Sequence, residues 1–143
     1  MKFGGSSVGT PESLNQVIDI VKCASEHDKI VVVCSAFSKV TDTLIHCGHL
    51  AQNKNQEYIN IIEALRVRHL QTFDVLSDSS NTSKYIQELT DALDDIMRLC
   101  DGINMLQEFS PRTQAHLISY GERLSCFIIA AAMRSKGVNA IYV

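Results

Sequence analysis

The chain has 143 residues, a length for about one domain, and carries 13 Lys and Arg against 16 Asp and Glu, a net charge of −3. That near balance excludes a polybasic surface of the kind that binds nucleic acid or an anionic membrane. With 45% hydrophobic residues, 20% charged residues and only two prolines and seven glycines, the composition also excludes a disordered or low-complexity polymer.

Met1-Lys2-Phe3 reads as the end of a strand that runs directly into Gly4-Gly5-Ser6-Ser7-Val8-Gly9. Thr10-Pro11-Glu12 then supplies an N-cap, a proline at the first helical position and an early acid. Leu14, Val17, Ile18 and Val21 follow at helical spacing, so a helix is expected from Pro11 to about Glu26. Ile30 to Cys34 is a short apolar run rich in β-branched residues, which suits a strand covered on both faces. Strand, helix and strand in this order predict a βαβ unit with a parallel sheet, whose functional edge lies at the strand C-termini.

Ser35 to Lys39 is the next loop, followed by an expected helix from about Val40 to Ala51. Two long helical tracts come next, Glu57 to about Leu76 and Lys84 to about Leu106, separated by the polar stretch Ser77 to Ser83. With no strand between them they predict an antiparallel helical hairpin inserted into the α/β layers. Ser110-Pro111 opens a further helix, expected to break near Gly121 and to end around Lys136-Gly137. Ala140 to Val143 reads as a third strand.

Several chemistries can be set aside. The apolar tract Leu124 to Met133 is shorter than the about 20 residues that span a bilayer, so no membrane partner is expected. Five scattered cysteines without a CxxC pair argue against a disulfide scaffold and point to a reducing cytoplasm. Cys34 and Cys126 sit in apolar runs as small core residues. His46, Cys47 and His49 lack further ligands at matching spacing, and Asp91, Asp94 and Asp95 with Arg98 one turn on read as a solvated helix face, so no metal site is expected.

Three segments remain. Glycines after a strand let the backbone approach a phosphate, and amides entering a helix suit an anion. The loop is not a Walker A sequence, because Thr10-Pro11 stands where its Lys and Ser/Thr belong; the lysine here is Lys2, before the glycines. A lysine at that place can neutralise charge on a transferring phosphate. Ser35, Ser38 and Thr41 follow a buried strand, where open α/β sheets bind ligands; the alternative is that they cap the next helix. In Ser119-Tyr120-Gly121-Glu122-Arg123-Leu124-Ser125, the glycine marks a close approach or a helix start, and Glu122 can meet a cationic ligand group or pair with a surface cation.

Taken together and in this order, KFGGSSVG, VVVCSAFSKVTDTL and SPRTQAHLISYGERLS resemble the aspartate kinase family within the amino-acid kinase superfamily. The long helical stretch ending in GINMLQEFSPRT is most similar to the bifunctional aspartokinase–homoserine dehydrogenase branch. The resemblance implies a three-layer α/β/α amino-acid kinase fold, of which residues 1–143 are the N-terminal, aspartate-binding portion. It implies ATP-dependent phosphorylation of the L-aspartate side-chain carboxylate to 4-phospho-L-aspartate, the opening step towards lysine, threonine and methionine. By motif position Lys2 matches the lysine that touches the transferring phosphoryl group. Gly4, Gly5 and Ser6 match the loop that cradles the nucleotide phosphates, with Ser7 close behind. Ser35 and Thr41 match hydroxyls that hold aspartate, and Glu122 matches the acid that pairs with its ammonium group.

The partners implied are L-aspartate and ATP, the latter as its Mg2+ complex, with no tightly bound cofactor, no nucleic acid and a homo-oligomer for the full-length protein. Most of the adenine and ribose pocket belongs to a second half of the catalytic domain in this family, so the 143-residue chain is expected to be silent alone. The rival expectations are a non-catalytic α/β module whose hairpin from Glu57 to Leu106 is an interaction or dimerisation surface, and another kinase of the same superfamily.

Overall fold

The computed structural model describes residues 1–77 and 82–143. Its element order is β1 (Lys2–Phe3), α1 (Pro11–Ser25), β2 (Val33–Cys34), α2 (Val40–Gln52), α3 (Glu57–Leu76), α4 (Thr82–Leu106) and α5 (Pro111–Ser135). The two strands pair in parallel, with Lys2 opposite Val33 and Phe3 opposite Cys34. The chain is therefore mostly helical around a small parallel sheet, and the expected βαβ unit is present.

Helices α1 and α5 begin where local chemistry says they should. Thr10 caps α1 in a reciprocal box with Ser13, and Pro11 occupies the first turn, where its missing N–H costs nothing. Leu14, Val17, Ile18 and Val21 form the buried stripe of α1, each full burial contributing roughly 1.5–3 kcal/mol. At α5 the Ser110 side chain accepts from the Thr113 N–H at 3.3 Å, again with a proline next in line.

α3 and α4 form the expected antiparallel hairpin. Tyr58 Oη donates to Asp101 at 2.8 Å, Arg66 pairs with Asp94 at 2.6 Å and Phe73 packs on Tyr85, so the numbering falls on one helix as it rises on the other. The polar separator expected over Ser77–Ser83 lies partly outside the described residues. The core is shared by Leu44 and Cys47 of α2, Ile62 and Phe73 of α3, Leu93 and Ile96 of α4, and Leu117, Leu124 and Ile128 of α5.

Three expectations are corrected. β2 covers only Val33–Cys34 and not Ile30 to Cys34, and it is not covered on both faces: Val31 is 78% exposed and Val33 53%. The pairing covers Lys2 with Val33 and Phe3 with Cys34, flanked by the bonds from Val33 N–H to the Met1 carbonyl and from Ser35 N–H to the Phe3 carbonyl. Helix α5 does not break at Gly121 but runs unbroken from Pro111 to Ser135. Residues Ala140–Val143 form no strand, because Arg134 Nε donates to the Ala140 carbonyl and the turn at Gly137, with φ of 79°, folds the segment back on α5. Tyr142 then meets Phe127 edge-on at 5.7 Å.

Candidate functional site

The two strands end side by side, so the loops that follow them touch. After Phe3, the chain turns with the Ser7 N–H donating to the Gly4 carbonyl at 2.9 Å, and Val8, fully buried, pins the loop to the core. Gly9 lies against the second loop: a Cβ there would stand 3.6 Å from Ser38 Cβ and 3.3 Å from the Gly5 carbonyl. Ser6 is exposed and Ser7 half-buried, leaving these hydroxyls at the surface of the loop. Lys2 is exposed on β1 and takes part in none of the described ion pairs.

The second loop, residues 35–39, is held from three directions. Its first N–H, of Ser35, donates to the Phe3 carbonyl at 3.0 Å and so continues the ladder. From α5, the Ser125 hydroxyl reaches the Ser35 carbonyl at 2.7 Å, while sitting 3.0 Å from the Glu122 carbonyl of its own helix. From α3, Arg68 Nη1 donates to the Ser38 carbonyl at 2.9 Å, and the His69 ring stacks on Phe37 with centroids 5.2 Å apart. His69 is fully buried. Its Nδ1 donates to the Leu65 carbonyl at 2.7 Å, its Nε2 has no partner among the described residues, and burial pushes its pKa down, so the ring is neutral.

Gly121 explains how α5 comes this near. A Cβ on it would stand 2.9 Å from Ala36 Cβ and 3.5 Å from Val40 Cγ1. The glycine is thus a close approach in a continuous helix, which places Glu122 one residue from the contact with the Ser35–Ser38 loop. The Glu122 side chain is exposed and takes part in none of the described ion pairs; its neighbour Arg123 instead lies over the Tyr120 ring at 4.4 Å.

The capping alternative for the hydroxyls of this loop does not hold. The N-cap of α2 is Lys39, in the left-handed region at φ 67°, and no side chain caps the helix. A non-glycine residue in that region is a local strain that the surroundings must enforce. Thr41 lies half-buried in the first turn, and the Thr43 hydroxyl returns to the Lys39 carbonyl at 2.8 Å.

The backbones of the three sequence motifs therefore meet around Ser35–Ser38. Lys2, Gly4, Gly5, Ser6, Ser7, Ser35, Thr41 and Glu122 line neither of two cavities formed by the described residues. One, of about 680 Å³, opens beside Tyr58, Asp101 and Asn104. The other, of about 880 Å³, opens between the end of α1, the edge of β2 and residues 137–143. Arg68, His69 and Ser125 are not among the residues expected from the sequence. Only Ser125 carries a signal there, as a serine one turn beyond Glu122 in a tract otherwise apolar. Away from this site His49 packs edge-on against Phe109 at 5.2 Å, and Asp95 pairs with Arg98 at 3.1 Å.

The profile of the amino acid kinase family matches residues 1–143. The chain belongs to the amino acid kinase family. Among the family's aspartokinases, the chain is 30% identical over 149 residues to that of Candida albicans, covering 99% of this chain and 27% of the relative. It is 34% identical over 146 residues to chloroplastic aspartokinase 1 of Arabidopsis thaliana, covering 98% of this chain and 24% of that one. It is also similar to the chloroplastic bifunctional aspartokinase/homoserine dehydrogenase 1 of Arabidopsis, at 27% identity over 99% of this chain and 16% of that one. The crystal structure of Escherichia coli aspartokinase III in complex with aspartate and ADP matches with a TM-score of 0.80 at 25% identity, over 96% of this chain and 29% of that one. The chain spans about a quarter of the length of the aspartokinases it matches. None of the helices among the described residues is long and apolar enough to cross a membrane.

Proposed function

We propose that residues 1–143 are the aspartate-binding N-terminal portion of an aspartate kinase, with the nucleotide-binding half supplied by further sequence of the kind its relatives carry. In the longer protein the small parallel sheet would continue as the middle layer of a three-layer α/β/α fold. The observation that carries this is the meeting of the glycine loop, the Ser35–Lys39 loop and the Gly121–Ser125 turn of α5 at the C-terminal ends of β1 and β2. That is the edge at which open parallel sheets bind ligands. Aspartokinase III of Escherichia coli, whose crystal structure is a complex with aspartate and ADP, supports the same substrates here.

In the reaction an oxygen of the aspartate side-chain carboxylate bonds to the γ-phosphorus of ATP as the bond from that phosphorus to the ADP oxygen breaks. No covalent enzyme intermediate is needed, so the protein's work is positioning and charge stabilisation. Ser35 and Thr41 would hold the aspartate and Glu122 its ammonium group. The amides and hydroxyls of Gly4, Gly5, Ser6 and Ser7 would cradle the phosphates, while Lys2 would meet the charge that builds on the transferring group. Mg2+ would enter as part of the ATP complex. The five scattered cysteines, with no CxxC pair, favour a reducing cytoplasm, and a homo-oligomer would be formed by the full-length protein.

The test is steady-state kinetics on the longer protein that carries these residues, followed by ADP release. Lys2→Ala should cripple kcat, and Glu122→Ala should chiefly raise KM for aspartate. Wild-type constants in both would overturn the assignment. The 143-residue chain alone should release no ADP; turnover by it would refute the division into two halves.

A further inference from the structure

The end of β2 and the middle of α5 carry two thiols that phosphoryl transfer does not use. Cys34 is the last residue of β2 and is buried, whereas Cys126 lies half-buried on α5, next to Ser125. The Sγ of Cys126 stands 3.7 Å from the Cys34 carbonyl oxygen. The two side chains affect each other: the neighbouring Cys34 thiol and the Cys34 backbone hold Cys126 below the usual thiol range, while Cys126 and burial push Cys34 above it. Both residues line the same cavity of about 880 Å³, so a small solute reaches the pair without unfolding the helices.

The remaining cysteines are differently placed. Cys47 and Cys100 are fully buried in the core, where burial pushes their thiols up to about 11 and about 12 and keeps them protonated. Cys23 is exposed on α1. Of the five, only Cys126 joins a lowered pKa to a second thiol at hand and an open approach, the combination that marks oxidisable pairs.

We propose that Cys34 and Cys126 are an oxidation site, closing a reversible disulfide that ties the end of β2 to α5. With a hydroperoxide as oxidant, the Cys126 thiolate attacks one peroxide oxygen, the O–O bond breaks, and the other oxygen leaves and takes up a proton as water or alcohol. Cys126 is then a sulfenic acid. The Cys34 sulfur attacks the Cys126 sulfur, the S–O bond breaks, and that oxygen departs as water with the Cys34 proton. Two thiols lose two electrons and the hydroperoxide gains them; an added dithiol reverses the change. The new bond would lie beside the hydrogen bond from Ser125 to the Ser35 carbonyl, so it would fasten the same two segments a second time. It stands whether or not the chain binds aspartate.

The test is exposure of the folded 143-residue chain to hydrogen peroxide, alkylation of the remaining thiols, digestion and mass spectrometry. The expected result is one intramolecular peptide pair joined through Cys34 and Cys126, lighter by two hydrogens and absent after reduction. Cys34→Ser should leave a Cys126 sulfenic acid that dimedone traps, and Cys126→Ser should leave Cys34 alkylatable. The proposal is overturned if Cys34 and Cys126 both remain alkylatable while Cys23 is oxidised, or if the bond formed joins any other pair. Should either variant fail to fold, the linkage map of the unaltered chain decides by itself.

Discussion

The segment from Val31 to Ser38, which contains β2, has two unlike regions. At its C-terminal end, the loop's backbone and its aromatic ring are held from several sides. The Ser35 N–H goes to Phe3, the Ser35 carbonyl takes the Ser125 hydroxyl, the Ser38 carbonyl takes Arg68, and Phe37 lies on His69. On its N-terminal side Val33 is 53% exposed, and Val31, two residues before it, is 78% exposed beside an open cavity. A two-residue strand gives the loop its direction but little of its rigidity. The rigidity comes from helices distant in sequence, which grip the loop from behind while leaving its hydroxyls free.

The hardest test of that contrast is Gly121→Val. A Cβ alone would stand 2.9 Å from Ala36 Cβ, and the valine methyls would add to it inside the α5–α2 contact. Overpacking of this kind costs about 3 kcal/mol, the upper part of its usual range. The urea midpoint should fall accordingly, and an unchanged midpoint would show that α5 does not press on the loop.

Ser125→Ala should come next, at about 2 kcal/mol, because it leaves the Ser35 carbonyl without its buried partner. The same denaturation measurement checks it, and Ser125→Cys, which keeps a weak donor, should recover part of the loss.

His69 makes the loop's support pH-dependent. Its pKa in the fold lies below the ordinary 6.5 because burial penalises the charged ring. The unfolded chain therefore binds the proton more readily, so this contribution is complete above pH 6.5 and is lost as pH falls from there towards the folded value. One such proton gives a slope of at most about 1.4 kcal/mol per pH unit. The fall in urea midpoint between pH 7.5 and 5.5 should be smaller in His69→Phe, which keeps the stack on Phe37. Equal falls in both proteins would take His69 out of the account.

The parts of this structure that were legible in the sequence are those whose cause is local. Thr10-Pro11 and Ser110-Pro111 mark their helix starts because a cap and a first-turn proline act within three residues. The hairpin was legible from two apolar periodicities with no strand between. Strand extents were not, because a strand exists only as far as its pairing: the register joins two residues of β1 to two of β2, and Ala140–Val143 are drawn off by Arg134. Gly121 could be flagged but not interpreted, since propensity suggests a break where packing required a close approach. Of the site, the three motifs were visible as motifs. Their supports Arg68 and His69 were not, because an ordinary arginine and a core histidine show their use only when α3 is laid against the loop.

The smallest expected effect falls on the N-terminal side of this segment. Val31 contributes little burial, so Val31→Lys should change stability by no more than about 0.5 kcal/mol. An exposed β-branched edge beside an apolar cavity is nonetheless a template for pairing with another chain, and a lysine there opposes such pairing by charge and desolvation cost. Sedimentation of the variant should therefore show less self-association than the unaltered chain at equal concentration, with the same urea midpoint. A midpoint lowered as far as that of Ser125→Ala would mean that Val31 is packed after all, and that the two sides of the segment around β2 are held alike.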